Sequence, residues 1–179
     1  MKRIYSLLCL SIAIVFGGLN CTWADEIALS ENFDSGSLST NGWTISNCHN
    51  STNINNSTSH SGNYSFRFYF NTNPPQYLIS KELLIPSDAS EVVISLYYRA
   101  HDSTFPESFK IGYSTTTKDV DSFSWLPEIT SITETTWQHY TNNSLPAGIK
   151  YIAIAYTANN KWYFYIDDVE VSYSADRKS

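Results

Sequence analysis

The fold is indicated most clearly by one alternating segment, Tyr64-Ser65-Phe66-Arg67-Phe68-Tyr69-Phe70. Every second residue is aromatic, and the positions between are mostly polar. Successive side chains of a β-strand point to opposite faces, so a period of two predicts a strand. We expect Tyr64, Phe66, Phe68 and Phe70 to face a core, while Arg67 and Tyr69 occupy the other face.

The same period recurs along the chain. Residues 92–101 alternate in the same way, residues 109–113 follow, and residues 151–156 form a nearly continuous apolar run that suits a central strand. Turn residues separate these segments, for example Asn41-Gly42, Ser61-Gly62 and Asn73-Pro74-Pro75. With 13 Tyr, 9 Phe and 5 Trp, the side chains are those that favour strands. The sequence therefore predicts an all-β, two-sheet antiparallel β-sandwich, with residues 47–59 as a long surface loop.

The first residues resemble an export signal. Lys2 and Arg3 are followed by the apolar residues 7–16, a run too short to span a bilayer comfortably. We expect residues 1–24 to be a signal peptide, residues 25–173 a single domain and residues 174–179 a polar tail. The predicted location is secreted or cell-surface, with no transmembrane segment. The alternative is that the protein is a lipoprotein anchored through Cys21.

Charge and cysteine content limit the partners. Removing residues 1–24 takes away two basic residues and no acidic one, which moves the net charge from −6 to −8. Nucleic acid is excluded as an expected partner, because phosphate binding needs a basic surface. Cys48 is then the remaining cysteine. We expect a solitary, partly buried thiol, with an intermolecular disulfide as the alternative.

Carboxylates stand at both ends of the predicted domain. Glu31 and Asp34 flank the first predicted strand, and Asp167 and Asp168 lie inside the last one. Asp is depleted in strands unless something compensates it, and a bound cation shared by the two strands would do so. The alternative is that backbone amides and water cap these carboxylates without an ion.

Six segments occur in an order that identifies a family resemblance. They are residues 31–36, 41–43, 59–65, 77–80, 145–153 and 164–171. Over about residues 30–173 the chain resembles the cleaved-adhesin or choice-of-anchor-J family. These are jelly-roll modules attached to bacterial surface proteases and adhesins, similar to MAM and carbohydrate-binding jelly rolls. The resemblance implies a jelly-roll sandwich of galactose-binding-like type, with Trp43 and Trp137 in the core.

The resemblance also implies a structural calcium ion. In related jelly rolls, the acidic residue after the first strand's Phe, the Ser-Gly turn and an Asp of the final Asp-Asp-Val bind it. By position, these ligands are Asp34, the turn from Ser59 to Ser61, and Asp167 or Asp168, with Glu31 as a further candidate. The expected role is to hold the two ends of the domain together.

A second group of residues is equipped to bind a ligand. Tyr97, Arg99 and His101 share one face of their predicted strand, as Arg67 and Tyr69 do on theirs. Flat rings and planar donors stack on sugar faces and bind hydroxyls or carboxylates. The alternative is an ordinary solvated sheet face. Further candidates, in turn-rich stretches, are Trp125 and Trp162.

Catalytic patterns are weak. The sequence has no Gly-x-Ser-x-Gly, no His-Glu-x-x-His and no Gly-rich phosphate loop. Asp102 and Glu107 form the one carboxylate pair that a small hydrolase would need. The sequence and the resemblance together predict a non-catalytic, adhesin-like module that binds a host or matrix glycoprotein. A carbohydrate-binding module is the alternative, and a small hydrolase is the third class; the partner is an extracellular glycan or glycoprotein.

Overall fold

A computed structural model describes residues 23–48 and 53–176. Within these ranges the chain forms short 3-10 helices at Ser39–Asn41 and Val120–Ser122, no α-helix, and twelve strands. The strands are β1 (Trp23–Glu31), β2 (Thr44–Ser46), β3 (Ile54–Asn55), β4 (Ser65–Phe68), β5 (Gln76–Ile79), β6 (Ser90–Ala100), β7 (Glu107–Ser114), β8 (Ser124–Trp125), β9 (Ile129–Ile132), β10 (Gln138–Leu145), β11 (Tyr151–Tyr156) and β12 (Phe164–Asp176). The all-β prediction is confirmed.

The strands form two antiparallel sheets. Sheet A has the order β10-β6-β12-β4-β3, and β1 also pairs with β12. Sheet B has the order β2-β5-β11-β7-β8, and β9 also pairs with β7. The sheets pack face to face as a jelly-roll sandwich, because each strand has an apolar face that only the other sheet can bury.

The core is built by the predicted alternation. Phe66 and Phe68 are fully buried, and the ring of Phe68 stacks on Tyr156, with centroids 5.4 Å apart. The prediction for Phe70 is wrong, since its side chain is 38% exposed. Strand β4 ends at Phe68, so the alternation that would turn Phe70 inward stops before it.

Strand β12 lies between β6 and β4 and orders the outer face of sheet A. Tyr165 is the cross-strand neighbour of Arg67 on one side and of Arg99 on the other. Since directly opposed residues point to the same face, these three side chains form one row, called here the arginine row. The sequence alternation placed both arginines on this face correctly but gave no sign of the strand between them.

Residues outside the alternating segments depart from expectation. Residues 47–59 were predicted to form a long surface loop, but Ile54 and Asn55 pair with β4, and Asn53 is buried. The Asn53 amide donates to the carbonyl of Arg67 at 2.9 Å, so a polar side chain takes a core-like position by binding backbone. Strand β12 extends to Asp176, three residues into the predicted tail.

The predicted signal peptide and Cys21 lie outside the described residues, apart from Trp23 and Ala24, which begin β1. Across the described ranges, no helix has the length and apolar character needed to cross a membrane.

Candidate functional site

Asp34, three residues after the end of β1, holds one side of the turn at residues 59–64. One carboxylate oxygen of Asp34 accepts the backbone N–H groups of Asn63 (2.7 Å) and Tyr64 (3.0 Å). Gly62 has a φ of +55°, and a Cβ added there would lie 1.7 Å from the other Asp34 oxygen. Only glycine fits this position, so the Ser-Gly pair is needed for the contact with Asp34.

The other side of the turn is attached to β12. Asp167 accepts the backbone N–H groups of His60 (2.7 Å) and Ser61 (3.3 Å). Asp168, with a φ of 45° at a bulge of β12, binds His60 Nδ1 and Ser61 Oγ, each at 2.5 Å. The bulge lets two consecutive carboxylates reach the same turn. Burial raises the pKa of Asp167 to about 6.

Glu31 lies in a separate group of donors. Its carboxylate accepts the backbone N–H of Phe33 at 2.6 Å, the Asn41 amide at 2.7 Å and the Trp43 indole N–H at 2.8 Å. Three N–H groups that converge on a buried carboxylate stabilise an anion, and they do not fit a cation beside it. The contact also holds Trp43 in the core, as the resemblance implied.

The three aspartates are a better fit to a cation than Glu31 is. A carboxylate has about four lone-pair positions, and Asp168 accepts two hydrogen bonds within the described part of the chain. However, no group of three or more His, Cys, Asp or Glu side chains converges in these ranges. Ser59 uses its hydroxyl on the Gly62 carbonyl. Hydrogen bonds already fasten the turn to β12 and to the segment after β1, and calcium at Asp34, Asp167 and Asp168 stays a prediction.

The same turn covers the part of the predicted ligand-binding face that contains Tyr97. The His60 ring stacks on Tyr97 with centroids 3.5 Å apart, and His139 approaches Tyr97 at 4.8 Å. Trp137 donates its indole N–H to the Ser59 carbonyl and packs edge-on to His60. Trp137 is therefore half-buried outside sheet A and not in the core as implied. Tyr97 offers a ligand little of its ring surface.

The arginine row lies on the same face of sheet A, beside the part that this turn covers. The guanidinium of Arg67 sits 4.4 Å from the Tyr69 ring centroid and 4.9 Å from that of Tyr163, and it donates to the Tyr69 hydroxyl. Arg99 donates to Thr58 Oγ1 at 3.2 Å. Aromatic rings, the hydroxyls of Tyr69 and Thr58 and the Ala100 carbonyl hold the two cations in place. Four of the five residues predicted for this face, all except Tyr97, therefore lie around Tyr165, whose own side chain is only 2% exposed.

A cluster called here the aromatic end adjoins the arginine row; its members are Tyr69, Phe70, His101, Phe105, Trp162 and Tyr163. Phe70, Phe105 and Trp162 are each 37–38% exposed, and the Trp162 ring stacks on Phe105 at 5.6 Å and on Phe70 at 6.4 Å. The sequence prediction of ligand-binding residues includes Tyr69, His101 and Trp162 of this cluster but not Phe70, Phe105 and Tyr163. The turn Phe105-Pro106 was the available signal for one of them.

His101 connects the aromatic end with the arginine row. Its Nδ1 lies 3.0 Å from the Tyr165 hydroxyl. Desolvation lowers the pKa of His101, and the charges of Arg99 and Arg67 lower it further, while Asp102 opposes the change. The imidazole is therefore neutral at pH 7, and the two arginines provide the positive charge of this face.

Glu107 anchors the loop that carries Trp162. Its buried carboxylate accepts the Trp162 backbone N–H at 3.0 Å and the Tyr156 hydroxyl at 2.6 Å, and burial raises its pKa. Both oxygens are thus used inside the fold. Asp102, at the surface, accepts the N–H and hydroxyl of Thr104. The carboxylate pair considered for a hydrolase therefore has one member engaged in holding a loop.

Trp125 lies on the opposite sheet. Its ring packs across Gly112 in sheet B, where an added Cβ would come within 2.7 Å of it, and Lys110 Nζ lies 4.7 Å from the ring centroid. The tryptophan fills the gap left by a glycine in a strand. Trp125 is not brought together with the other predicted ligand-binding residues.

A cavity of about 710 Å³ was not predicted from sequence. It lies between residues 36–39, β2 and β3, and its walls include Leu38, Trp43, Ile54 and Tyr64. The Asn-rich composition of residues 47–59 gave no sign that Asn53, Ile54 and Asn56 would form one wall.

Known proteins resemble both the sequence and the fold. Residues 26–171 match the family model described as Cleaved Adhesin Domain. The chain belongs to this family. No curated protein matches this cleaved adhesin domain. Members of the family are extracellular or cell-surface modules.

Three solved structures illustrate the shared fold of the cleaved adhesin domain. The K3 cleaved adhesin domain of Lys-gingipain from Porphyromonas gingivalis is 21% identical with a TM-score of 0.69, and the match covers 83% of this chain and 99% of that chain. The CBM22-1 xylan-binding domain of Paenibacillus barcinonensis Xyn10C is 16% identical with a TM-score of 0.63, over 85% and 97%. TmCBM61, in complex with β-1,4-galactotriose, is 15% identical with a TM-score of 0.58, over 85% and 99%. At these identities the likeness shows the jelly-roll fold.

Proposed function

We propose that this cleaved adhesin domain is a secreted, non-catalytic binding module that contacts the glycans of a host or matrix glycoprotein through its aromatic end. The observation that carries the proposal is the exposed, mutually stacked group of Trp162, Phe105 and Phe70 beside Arg67. Exposed aromatic clusters of this kind mark binding surfaces, because a monomer gains nothing from leaving such rings in water.

The chemistry of the surface favours a sugar. Aromatic faces pack against the C–H faces of a pyranose, while the neighbouring guanidinium and hydroxyl groups bind its oxygens. Trp and Tyr also dominate the free energy of protein interfaces, so a few rings are sufficient for useful affinity. The buried anchor at Glu107 holds the Trp162 loop in place before a ligand arrives, which lowers the entropy cost of binding.

A carbohydrate-binding module is the second candidate. It is supported by the fold likeness to the xylan-binding CBM22-1 domain and to TmCBM61. Such a module would bind a free polysaccharide as well as it binds a glycoprotein, whereas an adhesin-like module would need the protein context. The aromatic end serves both candidates.

The test is a glycan array and a panel of matrix glycoproteins, with the domain measured in calcium and in chelator. We expect Trp162→Ala to weaken binding by about 1–3 kcal/mol. Leu84→Ala is the control, because Leu84 is 84% exposed and lies outside the aromatic end. Binding that survives Trp162→Ala, Phe105→Ala and Phe70→Ala would place the ligand elsewhere. Unchanged binding to a glycoprotein after its glycans have been removed would show that the ligand is not a glycan.

A further inference from the structure

We infer that the glycan bound at the aromatic end is anionic, with a carboxylate or sulfate group held between Arg67 and Arg99. The inference rests on the proposed function, and it adds the class of ligand. It comes from the arrangement of charge in the arginine row.

The two arginines are placed side by side by the sheet. Arg67 on β4 and Arg99 on β6 both oppose Tyr165 on β12. Neighbouring strands lie about 4.8 Å apart, so the two backbones are separated by roughly 10 Å. Side chains as long as Arg reach a common anion across that gap, on the outer side of the buried Tyr165.

Neither arginine is paired with a carboxylate. In residues 23–48 and 53–176, the ion pairs are His60–Asp168 and Lys150–Glu82. Arg67 and Arg99 instead contact aromatic rings, a tyrosine hydroxyl, a threonine hydroxyl and the Ala100 carbonyl. Two like charges have thus been brought together without an internal counter-charge, in a chain whose net charge is −6. A bound anion would supply the missing charge.

The nearby acidic groups are directed elsewhere. Asp167, two residues along β12 from Tyr165, uses its carboxylate on the backbone of His60, Ser61 and Asp168. Asp102 is bound to Thr104. The Nε of Arg67 is buried and has no acceptor within the described part of the chain. This donor is closed to solvent, so the anion would bind the outer guanidinium nitrogens of Arg67 instead.

The experiment compares a neutral galactan oligosaccharide with an oligogalacturonide and with a sulfated chondroitin oligosaccharide, by calorimetry. One charge-assisted contact predicts about tenfold tighter binding of the anionic probes at low salt. The advantage should shrink as ionic strength rises from about 50 to about 500 mM, because salt screens exposed charge. The two anionic probes separate carboxylate from sulfate as the preferred group.

Single substitutions test whether the arginine row causes the preference for anionic probes. Arg67→Gln and Arg99→Gln should each remove the preference for the anionic probes and leave weak neutral binding, while Lys110→Gln, on sheet B, should leave the preference intact. If Arg67→Gln does not fold, Arg99→Gln carries the test. Equal affinity for neutral and anionic probes, lost in Trp162→Ala, would overturn the inference and keep the proposed function. An absence of binding to glycans of either class would overturn both.

Discussion

Glu107 is the residue whose substitution tests the anchoring of the aromatic end. Its carboxylate holds the Trp162 backbone N–H and the Tyr156 hydroxyl, and it is 1% exposed. Glu107→Ala leaves both donors without an acceptor. Each buried unpaired donor costs about 1–3 kcal/mol, so for two donors we expect a loss of about 2–6 kcal/mol in the free energy of unfolding.

Glu107→Gln should behave differently. The amide oxygen accepts the Trp162 N–H, and the amide nitrogen donates to the Tyr156 oxygen, so both contacts survive. Burial raises the pKa of Glu107 above its usual 4.5, which means that the folded state binds the proton more tightly than the unfolded state. The contribution of Glu107 to the free energy of unfolding of the wild type is therefore greatest at low pH, and it falls as the pH rises through the folded-state pKa. Glutamine resembles the protonated form at every pH.

The assay is urea unfolding followed by circular dichroism, at about pH 5 and about pH 8 in chelator. Glu107→Gln should be within about 1 kcal/mol of wild type at the lower pH and should gain relative to wild type at the higher pH, by about 1.4 kcal/mol per unit of pKa increase. Glu82→Gln, at an exposed position, is the control and should show no such trend. The reasoning is refuted if Glu107→Gln is as damaging as Glu107→Ala at both pH values.

Three further predictions use other parts of the fold. Phe68→Ala should cost about 3–5 kcal/mol in urea unfolding, because it opens a cavity in the core, whereas Arg67→Ala should cost about 1 kcal/mol; equal costs would contradict the assigned faces of β4. Burial raises the pKa of Cys48 from 9.0 to about 11, so near pH 8 the native thiol should be alkylated about a hundredfold more slowly than the thiol in urea, and comparable rates would show that it is accessible. Calcium should raise the melting temperature relative to chelator, equivalent to about 2.7 kcal/mol at one hundred times Kd, and Asp168→Ala should remove most of that gain. Identical melting curves would mean that hydrogen bonds alone hold the turn.

The part of this fold that the sequence predicts is the set of strands in which apolar and polar side chains alternate. The face of every residue in β4 and most of β6 follows from a period of two, since the pleat of a strand leaves no other choice. Where the backbone departs from the pleat, the pattern fails. Phe70 lies beyond the end of its strand, and the bulge at Asp168 is set by contacts with a turn more than one hundred residues away in sequence.

The candidate site was predictable only in pieces. Arg67, Arg99 and His101 were placed on one face from sequence, but the adjacency of their strands depends on β12, whose pairing is decided by the whole sandwich. The same limit applies to Tyr97, which the alternation exposes and the turn carrying His60 then covers. The alternation of a strand determines which face each side chain points to. It carries no information on which distant loop packs against that face.

The pairing of β1 with β12 has a consequence for how the domain would be displayed. Trp23 and Asp176 are paired, so both ends of the described domain emerge from the same pole. The aromatic end lies at the other pole, beside the first residues of β12. A strand of 13 residues spans roughly 40 Å at about 3.3 Å per residue. A carrier chain or surface attached at either terminus would therefore hold the rings of Trp162, Phe105 and Phe70 facing outward, at the full length of the domain from its tether.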